Sequence, residues 1–107
     1  MQNKSDFNQL VYSKLKLVPR GKITTYAILA KSIGKPKACR AVGSSLAKNK
    51  HLITTPCHRV VRSDGKLGNY QKGHKAKKSI LEKEGIKIDK MGKVVDFNKH
   101  LFYFNKR

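Results

Sequence analysis

The stretch TYAILAKSIGKPKACRAVGSSLAKN, residues 25–49, decides the fold. Thr25 is a good helix cap, and a short helix over Tyr26 to Ile33 follows it, with Gly34 supplying the left-handed residue past its end. Pro36 suits the first position of another helix, predicted to run to about Asn49. Two short helices joined by Gly34-Lys35-Pro36 read as a helix-turn-helix. The second helix has two unlike faces. Ala38, Ala41, Val42, Ser45 and Leu46 form a packing stripe, while Arg40, Gly43, Ser44 and Ala47 recur at i, i+3, i+4 and i+7 on the other side. That second face is nearly smooth, with Arg40 as its one long side chain and Lys48 at its end. Small residues let a helix backbone approach another surface closely, which suits a nucleic-acid groove or tight helix packing.

Charge favours the groove. The chain has 107 residues and a formal charge of +19, from 25 Lys and Arg against 6 Asp and Glu. From Phe7 to Ser63 there are twelve basic residues and no acidic one, and five of the six acids fall from Asp64 onward. An acid-free basic half of this kind points to an anionic polymer as partner. The length predicts one domain, residues 1–107, with one modest core.

Outward from the deciding stretch, Phe7, Leu10, Val11 and Leu15 have helical spacing, with Ser5 or Asp6 as possible caps and a stop at Pro19-Arg20-Gly21. After Asn49, Leu52-Ile53 leads through Thr54-Thr55-Pro56 to Cys57, and the Val60-Val61 pair between His58 and Arg62 suits a short buried strand. Ser63 to Lys66 reads as a turn and Leu67 to Gly73 as a loop. A helix is predicted from about Lys75 to Glu84, burying Ala76, Ile80 and Leu81 and ending at Gly85. Ile86 to Ile88 and Lys93 to Phe97 alternate around Lys90-Met91-Gly92 like a hairpin or wing. The apolar tail Leu101-Phe102-Tyr103-Phe104 is expected to dock. The fold class is therefore mostly α with short strands, a winged helix-turn-helix-like domain.

Absences narrow the chemistry. No apolar run approaches the roughly 20 residues of a membrane span, and no secretion signal precedes the first helix, so an intracellular protein without a membrane partner is expected. Cys39 and Cys57 are expected to be free thiols. The histidines, His51, His58, His74 and His100, are scattered without ligand spacing, so neither metal nor cofactor is expected.

The sharpest chemical signal is Pro56-Cys57-His58-Arg59-Val60, where basic neighbours are expected to favour the thiolate. On a strand, consecutive side chains would point to opposite faces, which argues against Cys57 and His58 acting directly on one another. The PCHRV string, with RAVG at Arg40 to Gly43, GNY at Gly68 to Tyr70 and Glu84-Gly85, resembles the O6-alkylguanine-DNA alkyltransferase family from about Phe7 to Ile88. The resemblance implies a domain that binds the DNA minor groove, flips a damaged base out, and transfers its alkyl group irreversibly to a cysteine. Its partner would be double-stranded DNA containing O6-alkylguanine, with no cofactor, and the protein is expected to be a monomer in the cytoplasm with the nucleoid, or nuclear in a eukaryote.

Carried over by position, the resemblance makes Cys57 the acceptor, with His58 and Glu84 relaying its proton through a water. Asn49 would brace the turn between helix and acceptor, and Tyr26 would crowd the flipped nucleotide's phosphate and hydrogen-bond the leaving guanine. Arg40 would fill the gap in the base stack, on a face formed with Gly43, Ser44, Ala47 and Lys48. Val60 and Cys57 would offer backbone carbonyls to the guanine, and Tyr70 and Gln71 would close the pocket. The chain departs from the family in Lys50 to Thr55 and in Gln71-Lys72, where smaller residues are common. Its tail after Gly85 is similar to the alkyltransferase-like subgroup, which binds lesions without repairing them and usually has tryptophan where this chain has Cys57.

Overall fold

A computed structural model describes residues 4–51 and 54–104, so the expectation for Leu52-Ile53 lies outside the described residues. The first helix, α1 (Lys4–Leu15), runs through Ser5 and Asp6, which therefore do not cap it; Asp6 instead places a negative charge in the first turn, where the helix dipole favours one. Val11 and Leu15 are fully buried and Phe7 packs beside them. After the Pro19-Arg20-Gly21 turn, β1 (Thr24–Thr25) pairs in parallel with β2 (Val60–Val61), Thr24 opposite Val60 and Thr25 opposite Val61.

Thr25 then caps α2 (Tyr26–Ser32), its Oγ1 accepting from Ile28 N at 3.0 Å. Gly34 beyond the end has φ +79°, the left-handed conformation expected of it. Helix α3 (Cys39–Ala47) is shorter than Pro36 to Asn49. Lys35 N returns to Ala30 C=O at 3.0 Å and Ala38 N to Lys35 C=O at 2.9 Å, so residues 34–38 are spent turning the chain. Val42, Ser45 and Leu46 are buried as expected, but Ala41 is exposed, because the packed stripe is narrower than the apolar one.

The short turn Cys57–Arg59 is 3-10 helical and leads directly into β2. Helix α4 (His74–Lys83) buries Leu81 fully, with Ala76 and Ile80 only half-buried. The alternating segments that follow meet at an antiparallel Ile88–Val94 bridge, and Lys93 also bridges Lys66. Phe97 departs from the expected strand: Asp96 takes a left-handed φ of 56° and Phe97 opens the one-turn α5 (Phe97–His100). The tail docks as expected, since Ile23 N donates to His100 C=O at 2.9 Å and Phe102 N to Ile23 C=O at 2.7 Å.

Two apolar clusters result. One holds Val11, Leu15, Val18, Leu29, Ala30, Val42, Leu46, Cys57 and Val60; the other holds Ile23, Val61, Leu67, Leu81, Ile86, Ile88 and Val94. The strand pleat sends consecutive side chains to opposite faces, so Val60 enters the first cluster and its neighbour Val61 the second. Cys57 and His58 lie immediately before this seam.

Candidate functional site

Pro56 cannot donate a backbone hydrogen bond, and the chain tightens behind it: Arg59 N reaches Pro56 C=O at 3.0 Å and Val60 N reaches Cys57 C=O. In a 3-10 turn there are three residues per turn, so neighbouring side chains diverge by about 120° rather than pointing to opposite faces. The strand expectation for Cys57 and His58 is thereby corrected. Asn49 braces this turn from below. Its Nδ2 donates to Thr55 C=O at 2.8 Å and its Oδ1 accepts from His51 N at 3.0 Å, while the C-cap of α3 is Lys48.

Cys57 is only 5 % exposed. Burial pushes its thiol up, and the Asn49 hydrogen bond and Lys77 charge offset that only in part. The expected thiolate is therefore not the resting state, because desolvation of the sulfur outweighs the nearby cations. Ionisation needs a base.

His58 has the arrangement of one. Its Nε2 lies 2.9 Å from Glu84 Oε2, and burial lowers its pKa from the usual 6.5 despite the carboxylate. A neutral imidazole beside a carboxylate donates from Nε2, which leaves the proton off Nδ1 and its lone pair free. His58 Nδ1 is buried and has no hydrogen-bond partner among the described residues. Glu84, at the C-cap of α4, is itself held by Arg59, whose Nε and Nη2 donate to its two oxygens at 2.9 and 2.8 Å. Burial pushes the Glu84 carboxyl up, but Arg59 and His58 together bring it below its ordinary value. Arg59 Nη1 also donates to Val18 C=O at 2.9 Å, tying the turn to the segment that follows α1.

Lys77 was not singled out by the sequence. It is fully buried in α4, with Nζ donating to the carbonyls of Val60 (2.7 Å), Asn69 (3.1 Å) and Leu67. Burial lowers its pKa to about 8, opposed by the Cys57 sulfur. The Val60 side chain lies in the core, and its carbonyl accepts from Lys77.

A cavity of about 160 Å³ opens onto Cys57 and is lined by Tyr26, Gly43, Leu46, Ala47, Asn69, Tyr70 and Gln71. Tyr26 stands between it and a second hollow of about 330 Å³, which Arg40, Gly43, Cys39, Arg62 and Gly68 share. Gly68, at φ +76°, leaves room for Tyr26: a Cβ there would sit 3.0 Å from the phenol oxygen. Arg40, Ser44 and Ala47 on α3 and Lys48 at its C-cap are exposed, but Ser44 and Lys48 line neither hollow. Among the described residues no cluster of His, Cys, Asp and Glu has the makings of a metal site, and no helix is long and apolar enough to cross a membrane.

A buried cysteine lining a cavity, beside a histidine held by a carboxylate, is the arrangement of domains built around an activatable thiol. More specifically, the chain belongs to the 6-O-methylguanine DNA methyltransferase family, whose DNA binding domain matches residues 6–86. It is 43 % identical over 81 residues to a methylated-DNA–protein-cysteine methyltransferase of Methanosarcina acetivorans, covering 76 % of this chain and 52 % of that protein. The chain thus spans about half the length of that relative, and 44 % of the human protein of the same name. Among solved structures, S. pombe Atl1 bound to damaged DNA containing O6-carboxymethylguanine aligns with a TM-score of 0.81 at 27 % identity, covering 95 % of this chain and 98 % of that one. Mycobacterium tuberculosis OGT in complex with DNA aligns with a TM-score of 0.73 at 41 % identity, over 75 % of this chain and 49 % of that one.

Proposed function

We propose that this domain repairs DNA by moving the alkyl group of an O6-alkylguanine onto Cys57. The observation that carries the reading is the buried thiol lining the cavity, next to a histidine whose Nε2 is tied to Glu84 while Nδ1 has no partner among the described residues. A base that must accept a thiol proton needs that free lone pair.

In this reading α2 and α3 form a helix-turn-helix, the Ile88–Val94 bridge and its turn form the wing, and the exposed face of α3 enters the minor groove. Arg40 takes the place of the extruded nucleotide, offsetting part of an unstacking cost of a few kcal/mol. The guanine enters the cavity between α3 and the Asn69–Gln71 loop. His58 Nδ1 takes the Cys57 proton through a water, and the sulfur attacks the alkyl carbon. A sulfur–carbon bond forms as the carbon–O6 bond breaks, and its electron pair leaves with the guanine. Tyr26 hydrogen-bonds a ring nitrogen where that charge develops. His58 then passes the thiol's proton to the leaving guanine, so the products are an S-alkyl cysteine and normal guanine. A thioether is a poor leaving group, which makes each molecule act once.

Burst kinetics test this. With excess duplex containing O6-methylguanine, repaired guanine should equal the active protein, with no later turnover and none in Cys57→Ser. Continued turnover, or a burst retained by Cys57→Ser, contradicts the reading. The second reading is lesion binding without transfer, favoured by the alignment with Atl1 along nearly the whole of both chains. It predicts tight binding to alkylated duplex and no burst.

A further inference from the structure

The loop that walls the Cys57 cavity is fastened across it by one side chain. Gln71 Nε2 donates to Leu46 C=O and to Asn49 C=O, each at 2.8 Å. These carbonyls lie at the C-terminal end of α3, where a helix runs out of intrahelical donors. A primary amide has two N–H donors. Both are engaged, and they hold the side chain from two points.

The cavity lies between the two things this clasp joins. Leu46, Ala47 and Gly43 face it from α3, and Asn69, Tyr70 and Gln71 face it from the loop. The loop is also fixed behind Gln71, where Lys77 Nζ holds the Leu67 and Asn69 carbonyls and Gly73 N closes onto Tyr70 C=O at 2.9 Å. A segment tied at both ends cannot widen the cavity without releasing one tie. The Lys77 tie is buried, whereas Gln71 lies at the exposed rim. At about 160 Å³ the cavity is smaller than the roughly 300–1,000 Å³ of sites for drug-sized ligands, leaving little room beyond a purine with a short alkyl group.

We infer that Gln71 is a specificity-determining residue, a clasp that restricts the site to O6-alkylguanines with small substituents, methyl over benzyl. The inference rests on the transfer reading above. Releasing the clasp lets the loop move away from α3 and admits the larger group.

The test compares duplexes carrying O6-methylguanine and O6-benzylguanine in single-turnover transfer by wild type, Gln71→Ala and Gln71→Glu. The readout is the benzyl-to-methyl rate ratio, which partial unfolding leaves unchanged because it scales both rates alike. Both variants should raise that ratio about tenfold or more, in the range that small changes in pocket fit produce. Gln71→Glu matters because it keeps the side chain's size and removes its two donors. An unchanged ratio in both variants overturns the inference, and a rise in Gln71→Ala alone shows bulk, not the clasp, to be responsible and overturns it too. The same ratio read as duplex affinity, in Cys57→Ala with and without Gln71→Ala, requires no chemistry. If wild type transfers neither group, the transfer reading fails while the affinity ratio still decides the clasp: a tenfold rise supports it and no change refutes it.

Discussion

The two apolar clusters are built by different means. The first is made by helices: α1, α2 and α3 each contribute buried residues at helical spacing, and their ends are set by local signals such as Thr25 and Gly34. The second has one helix of more than a turn, α4, with Phe97 of the one-turn α5 packed against it, and otherwise rests on Val61 of β2 and on single bridges such as Ile88 to Val94 and Ile23 to Leu101. The clusters meet at two-residue strands, and polar side chains cross where the sheet is too short to join them. Arg59 and His58 reach Glu84 from the first side, and Lys77 reaches back to Val60 from the second. The groups that surround Cys57 are the same groups that fasten the halves together. In this domain the seam and the site are one structure, so disturbing either should disturb both.

The largest expected effect is at Glu84. Glu84→Ala leaves Arg59 without its carboxylate and should cost about 3–5 kcal/mol, the usual penalty for breaking a buried pair from one side. Because the folded carboxyl is held below its ordinary value of 4.5, its stabilisation is fully present above that pH and lost as pH falls further. Denaturant melts of the variant against wild type from neutral to acid pH should converge. A variant as stable as wild type at neutral pH would break the equation of seam with site.

Lys77→Met comes next, at about 2–4 kcal/mol, since the buried carbonyls of Val60 and Leu67 lose their donor and only part of that loss is returned by removing a buried cation. The pH dependence sharpens the assignment. The folded lysine gives up its proton near pH 8 and the unfolded one near 10.5, so the unfolded chain binds more protons in between and wild-type stability gains a rising component there. Melts of wild type minus Lys77→Met should show that component, and a flat difference would place the amine in solvent.

Smaller effects separate chemistry from binding. Transfer by wild type should fall only as pH drops below the ordinary histidine value of 6.5, because burial lowers the His58 pKa and keeps the ring neutral into mild acid. An acid limb above 6.5 in a single-turnover pH profile would show His58 charged and disqualify it as the base. Arg40→Ala should slow transfer from alkylated duplex more than it weakens binding to normal duplex, and replacing an exposed lysine of the first half should do the reverse. If four to six phosphates are neutralised, log affinity against log salt should slope at roughly −4 to −5 for B-DNA. A near-flat slope would remove the basic half from the interface.

Much of the first cluster was legible because helix caps, glycine stops and apolar spacing act over a few residues. The Thr25 cap, Gly34 and the Val60-Val61 strand fall where local rules put them. The beginning of α3 differs from the sequence expectation because Pro36 fits a turn as well as a helix start, and the return of Lys35 N to Ala30 selects the turn. Lys77 was illegible for a deeper reason. A lysine on an amphipathic helix reads as solvent-facing, and only the fold brings the carbonyls of Val60, Leu67 and Asn69 to it. The direction of the Cys57 pKa shift is likewise set by burial, which the basic neighbours along the chain do not reveal. Arg59 was visible as a charge in the motif, but its hold on Glu84 spans 25 residues of sequence.

The central claim is that Cys57 receives the alkyl group, and intact mass followed by peptide mapping tests it most directly. After incubation with excess duplex containing O6-methylguanine, the protein should gain the mass of one methyl group in place of one hydrogen, on the peptide containing Cys57, with Cys39 unmodified. Tight binding to the same duplex with an unchanged protein mass, or a methyl group mapped to Cys39, would contradict it.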